Sequence, residues 1–287
     1  MTEQPQKIVA LVDGSTYSAS VCDHAAWISQ RTNAPVELIH VLGRREAADT
    51  HDHSGAIALG ARTALLEELA ALDAQRSKLI SHRGRAILED ARAILDKAGV
   101  TDITTRLRHG NIVEAVGEVE ADARVILIGK RGEAADFASG HLGSNLERIV
   151  RASHKPVFVA SRAFRPIEKV LVAYDGGASA MKAVDHIARS PLFAGLEIHV
   201  VTVGNATPEV KKGLDDAKAM LKAAGIEAGT AVLPGQPEIA LGKLVDEAQF
   251  DMLVMGAYGH SRIRSLIIGS TTTEMIRSCK VPVVLMR

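Results

Sequence analysis

One order of segments occurs twice in this chain of 287 residues, and the duplication restricts the fold more than any other feature. Lys7-Ile-Val-Ala-Leu-Val-Asp13 is an apolar run closed by an acid, with Gly14-Ser15-Thr16 after it. Lys169-Val-Leu-Val-Ala-Tyr-Asp175, followed by Gly176-Gly177, repeats that pattern. Apolar runs this short, bounded by turn residues, are buried strands. A second strand follows in each copy, and Asp13 stands as far before Val41 as Asp175 does before Val203. Thr101–Arg108 and Glu227–Leu233 read as third strands, followed by helices over Ile112–Asp122 and Pro237–Ala248. Arg124–Ile128 and Asp251–Met255 are fourth strands, and each copy closes on a strand that carries a proline near its start, at Pro156 and Pro282.

Strands that alternate with helices and are apolar throughout form parallel sheets covered on both faces. The sequence therefore predicts a tandem α/β protein, doubly wound, with domains at 1–163 and 164–287. The first copy is longer because of a helical insertion at 43–98. Its polar start holds His51-Asp52-His53, which reads as a solvated loop, since a metal site needs a third ligand that is not nearby. From Ile57 to Lys97 the pattern is helical, with Ile87, Leu88, Ala91, Ile94 and Leu95 as one stripe. Gly84 is expected to break or bend this helix and Gly99 to stop it.

Lys plus Arg equals Asp plus Glu, at 34 each, which argues against a nucleic-acid or anionic-membrane partner. No apolar run reaches the roughly 20 residues of a membrane helix. The two cysteines, Cys22 and Cys279, are far apart, and no leader-like segment precedes Lys7. Both points lead to the expectation of a cytoplasmic protein without disulfides.

In open parallel sheets, ligands bind beyond the carboxyl ends of strands, where the strand order reverses. Asp13, Val41 and Gly129 fall at such ends, as do Asp175, Val203 and Gly256. The fourth strand of the second copy runs into Gly256-Ala-Tyr-Gly259-His260-Ser-Arg262-Ile-Arg264, and then into Gly269-Ser270-Thr271 at the head of a helix. Glycines let a ligand approach bare backbone, and a helix N-terminus favours an anion. The first copy has Gly129-Lys-Arg-Gly132 and Gly143-Ser144, with a longer gap that contains Glu133 and Asp136.

The spacing Gly-x2-Gly-x9-Gly-Ser of the second copy resembles the nucleotide-binding signature of the universal stress protein family, in its ATP-binding branch. The duplicated order extends that resemblance over nearly the whole chain. It implies two flavodoxin-like, Rossmann-like five-stranded sheets in the order 3-2-1-4-5, paired through their last strands. It also implies bound ATP, AMP or ADP, with or without Mg2+. By resemblance, Asp175 contacts the adenosine end, the backbone near Val203 frames adenine, and Gly235-Gln236-Pro237 line the pocket. Gly256, Gly259, Gly269, Ser270 and Thr271 then take ribose and phosphates, with His260 and Arg262 beside them. Asp13, Val41, Gly129, Gly132, Gly143 and Ser144 are the counterparts in the first copy. There the acids of the loop would oppose phosphates, so binding is expected mainly in the second copy. The expected function is a nucleotide-binding stress-response protein without strong turnover, and the expected assembly a homodimer. The alternative is a scaffold of the same fold that binds no nucleotide.

Overall fold

The computed structural model describes residues 6–43, 59–132, 143–257 and 270–287, with side chains of the long helix from 65 onward. The first half runs β1 (Lys7–Leu11), α1 (Ser18–Thr32), β2 (Val36–Gly43), α2 (Leu59–Lys97), β3 (Ile103–Gly110), α3 (Ile112–Gly117), β4 (Ala123–Gly129), α4 (Ser144–Ala152) and β5 (Val157–Ala160). The second runs β6 (Lys169–Ala173), α5 (Ala178–Arg189), β7 (Glu197–Val203), α6 (Pro208–Ala223), β8 (Ala228–Leu233), α7 (Pro237–Glu247), β9 (Met252–Gly256), α8 (Ser270–Ser278) and β10 (Val283–Met286).

Each half has the order 3-2-1-4-5, but the two do not form separate sheets. All ten strands make one sheet, β3-β2-β1-β4-β5-β10-β9-β6-β7-β8. Neighbours within a half are parallel, as in Ile8↔Val36 and Val170↔Ile198. The join is the one antiparallel pair among the described strands, with Val283 opposite Val159, Val284 opposite Phe158 and Leu285 opposite Val157. Pairing the last strands in this way buries what would otherwise be two apolar edges.

The alternating side chains of these strands feed two cores, one on each face of the sheet. On one face Ile8, Ala10, Phe158, Val172 and Val284 meet α1, α2, α5 and α6. On the other Val9, Ile126, Val157, Leu253 and Val283 meet α3, α4, α7 and α8. Both cores pass through the β5–β10 join without interruption, so burial of apolar surface holds the halves together. Arg31 adds a polar tie, donating from Nε to Leu192 O at 2.7 Å and from Nη2 to Ala194 O.

Three expectations are corrected. Gly84 does not break α2, which is continuous from Leu59 to Lys97. Its missing side chain lets the helix sit close on the sheet, where a Cβ would come within 2.7 Å of Leu107 Cδ1 and 2.9 Å of His40 Cδ2. The segment 112–122 is two short elements, α3 and a 3-10 turn at Glu120–Asp122. Strands β1 and β6 end two residues before Asp13 and Asp175; Val12 N and Tyr174 N still donate to Ile39 O and Val201 O, and the chain turns after the acids at Gly14 and Gly176, with φ +79° and +75°.

Candidate functional site

In each half the first strand has the second on one side and the fourth on the other, so the crossovers leave it in opposite directions. That divergence opens a crevice at the carboxyl ends of β1 and β4, and of β6 and β9.

In the first half the crevice is walled by Asp13, Tyr17, Val41, Ile112, Arg131 and Asn145, with Gly129, Gly132 and Gly143 between them. The glycines set how near the walls stand. A Cβ on Gly129 would lie 2.6 Å from Tyr17 Cβ, and one on Gly132 would lie 2.8 Å from Asp13 Oδ2. Side chains at those places would fill the cradle. Asp13 is tied into its own turn, since Oδ1 accepts from Ser15 N at 3.0 Å and from Ser18 Oγ at 3.2 Å. The first turn of α4 contributes Gly143 and Asn145, while Ser144 is exposed.

The second half repeats the frame with different side chains. Gly256 meets Ser179 as Gly129 meets Tyr17, its Cβ position being 2.9 Å from Ser179 Cβ. Asp175 is exposed, and its Oδ1 accepts from Gly177 N at 2.8 Å. Thr272 Oγ1, in the first turn of α8, donates to Gly256 O at 3.3 Å, which brings Ser270 and Thr271 to the end of β9. Val203 ends β7 and is half-buried. Gly235, at φ +105°, with Gln236 and Pro237, follows β8, which is separated from β6 by β7. Gly259, His260, Arg262 and Gly269 lie outside the described residues, as do Glu133, Asp136 and the His51-Asp52-His53 cluster.

One internal bond locks the same atom in both copies. His40 Nδ1 lies 2.7 Å from Val12 O, so that nitrogen carries the proton and donates. Thr202 Oγ1 donates to Tyr174 O, also at 2.7 Å. Each fixes the carbonyl just before the crevice acid.

Tyr17 and Arg131 also line a second cleft, where the first half meets the end of α8. Lys130, Arg162, Arg277, Cys279 and Lys280 complete its wall. Glu274 pairs with Arg277 at 2.7 Å and Asp246 with Lys280 at 3.0 Å. Lys130 is buried, and burial, partly offset by Cys279, lowers its ammonium pKa from the ordinary value. Sequence reasoning left out Tyr17, Asn145, Lys130 and Arg131 as site residues. The last two lie inside the motif between Gly129 and Gly132, so their signal was the doublet itself. Among the described residues no group of three or more His, Cys, Asp or Glu could hold a metal, and no helix is long and apolar enough to cross a membrane.

The family model of the universal stress protein family matches residues 5–161 and again 166–287. The universal stress protein Slr1230 of Synechocystis sp. is 36% identical over 286 residues, spanning 98% of this chain and 100% of that one. The universal stress protein Rv1996 of Mycobacterium tuberculosis is 24% identical over 98% of this chain and 94% of its own length. Among solved structures, that of a universal stress protein from Archaeoglobus fulgidus superposes with a TM-score of 0.74 at 20% identity, covering 99% of both chains.

Proposed function

The chain belongs to the universal stress protein family, and we propose that it is a stress-response protein that binds an adenine nucleotide, mainly in its second half. The observation that carries this reading is the switch point of each half, where Gly129 and Gly256 end the fourth strand so close to Tyr17 and Ser179 that a side chain would collide. Asp175 stands exposed at the mouth of the second crevice, where its carboxylate suits the hydroxyls of a ribose. Ser270 and Thr271 begin α8, where free N–H groups and hydroxyls suit phosphate oxygens. Mg2+ would then be held by the phosphates and water, since Mg2+ keeps several waters and needs few protein ligands. The segment from Gly256 to Thr271 carries His260, Arg262 and Arg264 and no acid, whereas 133–142 carries Glu133 and Asp136. That difference in charge favours the second half for an anionic ligand.

Denaturing the purified chain and identifying released small molecules by mass spectrometry tests the proposal, followed by calorimetric titration of stripped protein with ATP, ADP and AMP. Nucleotide release, or saturable binding, is expected. Gly259→Val should remove most of the binding and Gly132→Val little. Absence of both release and binding at millimolar nucleotide would leave the scaffold reading in its place, and equal loss from the two variants would overturn the assignment to the second half.

A further inference from the structure

Helix α2 is about 58 Å long at 1.5 Å per residue, far longer than the sheet face it covers. Its carboxyl-terminal part packs conventionally, with Gly84, Leu88, Ala91 and Leu95 buried against the sheet. Between Leu65 and Leu79 no residue is buried. The large hydrophobic side chains exposed among the described residues are Leu65, Leu66, Leu72, Leu79 and Ile239, so four of the five lie on this one stretch. Leu69, partly buried, falls between them.

These leucines are not scattered. Leu65, Leu69, Leu72 and Leu79 follow a four-three spacing, with Arg76 at the remaining place, which is the seam of a two-stranded coiled coil. The seam lies to one side of the stripe that carries Gly84 and Leu88, with its leucines exposed or partly buried, while Arg76 also lines the chain's own cleft beside His40 and Ile87. Charge then says which partner. From Leu65 to Ala74 the charged residues are Glu67, Glu68 and Asp73; from Gln75 to Arg85 they are Arg76, Lys78, Arg83 and Arg85, with His82. The sign changes once, near the middle of the leucine run. A helix of this kind is complementary to itself when reversed, and like charges would stack if two copies ran in parallel. The acid-first order also suits the helix dipole, but the dipole acts within the first and last turns, and these residues lie in the interior of a helix that spans 59–97.

We propose that two copies of this chain pair through antiparallel α2 helices over residues 65–83, each acidic stretch lying against the other copy's basic one. In the register that sets a leucine or arginine of one seam against its counterpart, Leu69 meets Leu79 and Leu72 lies next to Arg76 of the other copy. The two nucleotide crevices of each chain take no part in this contact, so the proposal stands apart from the ligand reading.

The test uses the full chain. Analytical ultracentrifugation at micromolar concentration should show a concentration-dependent species of twice the 30.5 kDa chain mass. Leu72→Glu combined with Leu79→Glu should give a monomer with unchanged circular dichroism, because both leucines are exposed within the chain, and a melting temperature that no longer depends on protein concentration. Polarity is read by single cysteines with a short bis-maleimide, Cys22 and Cys279 both being buried. Leu72→Cys should cross-link to itself. Leu65→Cys should not, its two copies being roughly 27 Å apart along the antiparallel pair. A wild-type monomer at 100-fold higher concentration, a dimer that survives the double Glu variant, or efficient cross-linking at Leu65→Cys would each overturn the proposal.

Discussion

The ammonium of Lys130 donates to the carbonyl of Cys279, joining the end of β4 in the first half to the end of α8 in the second. Arg287 returns the contact, with Nη1 donating to Arg151 O at 2.8 Å and to Ser153 O at 3.3 Å at the end of α4. Each half thus supplies a cation to the carboxyl terminus of a helix in the other, where unpaired carbonyls need donors.

The Lys130 contact sets a buried cation on one neutral acceptor. Removing the charge relieves desolvation, while removing the donor leaves Cys279 O unpaired, and the two are comparable at about 1–3 kcal/mol. Lys130→Met keeps the volume and should change stability by less than about 1 kcal/mol. Lys130→Ala also empties space and should cost about 2 kcal/mol. Urea denaturation of both variants measures the difference.

His24 gives the acid limit of the fold. It is fully buried, Nδ1 lies 2.6 Å from Ser20 O, and the ring packs against Phe158 and Phe164. Burial, partly opposed by the Ser20 bond, lowers its pKa from 6.5 to about 4. Above pH 6.5 the ring is neutral in both states and its contribution is complete. As pH falls further, the unfolded chain takes the proton first, and about 3 kcal/mol is lost by about pH 4. Stability measured across that window should fall, and His24→Phe should flatten the slope.

Gly84 should resist the usual stabilising exchange. Alanine raises helix propensity by about 1 kcal/mol. Its Cβ, however, would press on Leu107 and on His40, which the bond to Val12 O holds in place. Overpacking of that kind costs about 1–3 kcal/mol, so Gly84→Ala should lower the melting temperature and Gly84→Val should lower it more.

On the proposed nucleotide reading, Ser270→Ala removes a hydroxyl bond to phosphate worth about 1.5–3 kcal/mol. ATP should then bind roughly tenfold more weakly and adenosine nearly as before. Asp175→Ala should weaken both about equally. Paired titrations of ATP and adenosine with each variant check the two signatures.

The duplicated order was legible because buried strands are short apolar runs and the two copies repeat their separations. What it left out depends on tertiary contact. A glycine inside a helical pattern looks like a break, and nothing local at Gly84 shows that Leu107 and His40 approach it. The pattern from Ile112 to Asp122 is helical in period, yet the chain turns after Gly117. Asp13 and Gly129 were legible as strand-end residues, whereas Tyr17 enters the crevice because α1 folds it over Gly129. The Lys130–Cys279 bond joins residues 149 apart and leaves no local trace.

The antiparallel join of β5 and β10 lies within one polypeptide. Two single-copy chains that met in this way would separate on dilution, and any substitution would appear on both sides of the join. Here the meeting is unimolecular, so the ten-stranded sheet is indifferent to protein concentration. Each side can also drift by itself: Tyr17 faces Gly129 while Ser179 faces Gly256, and Lys130 has Ala257 as its counterpart. Covalent fusion has released the two halves from symmetry while keeping the sheet that symmetry built.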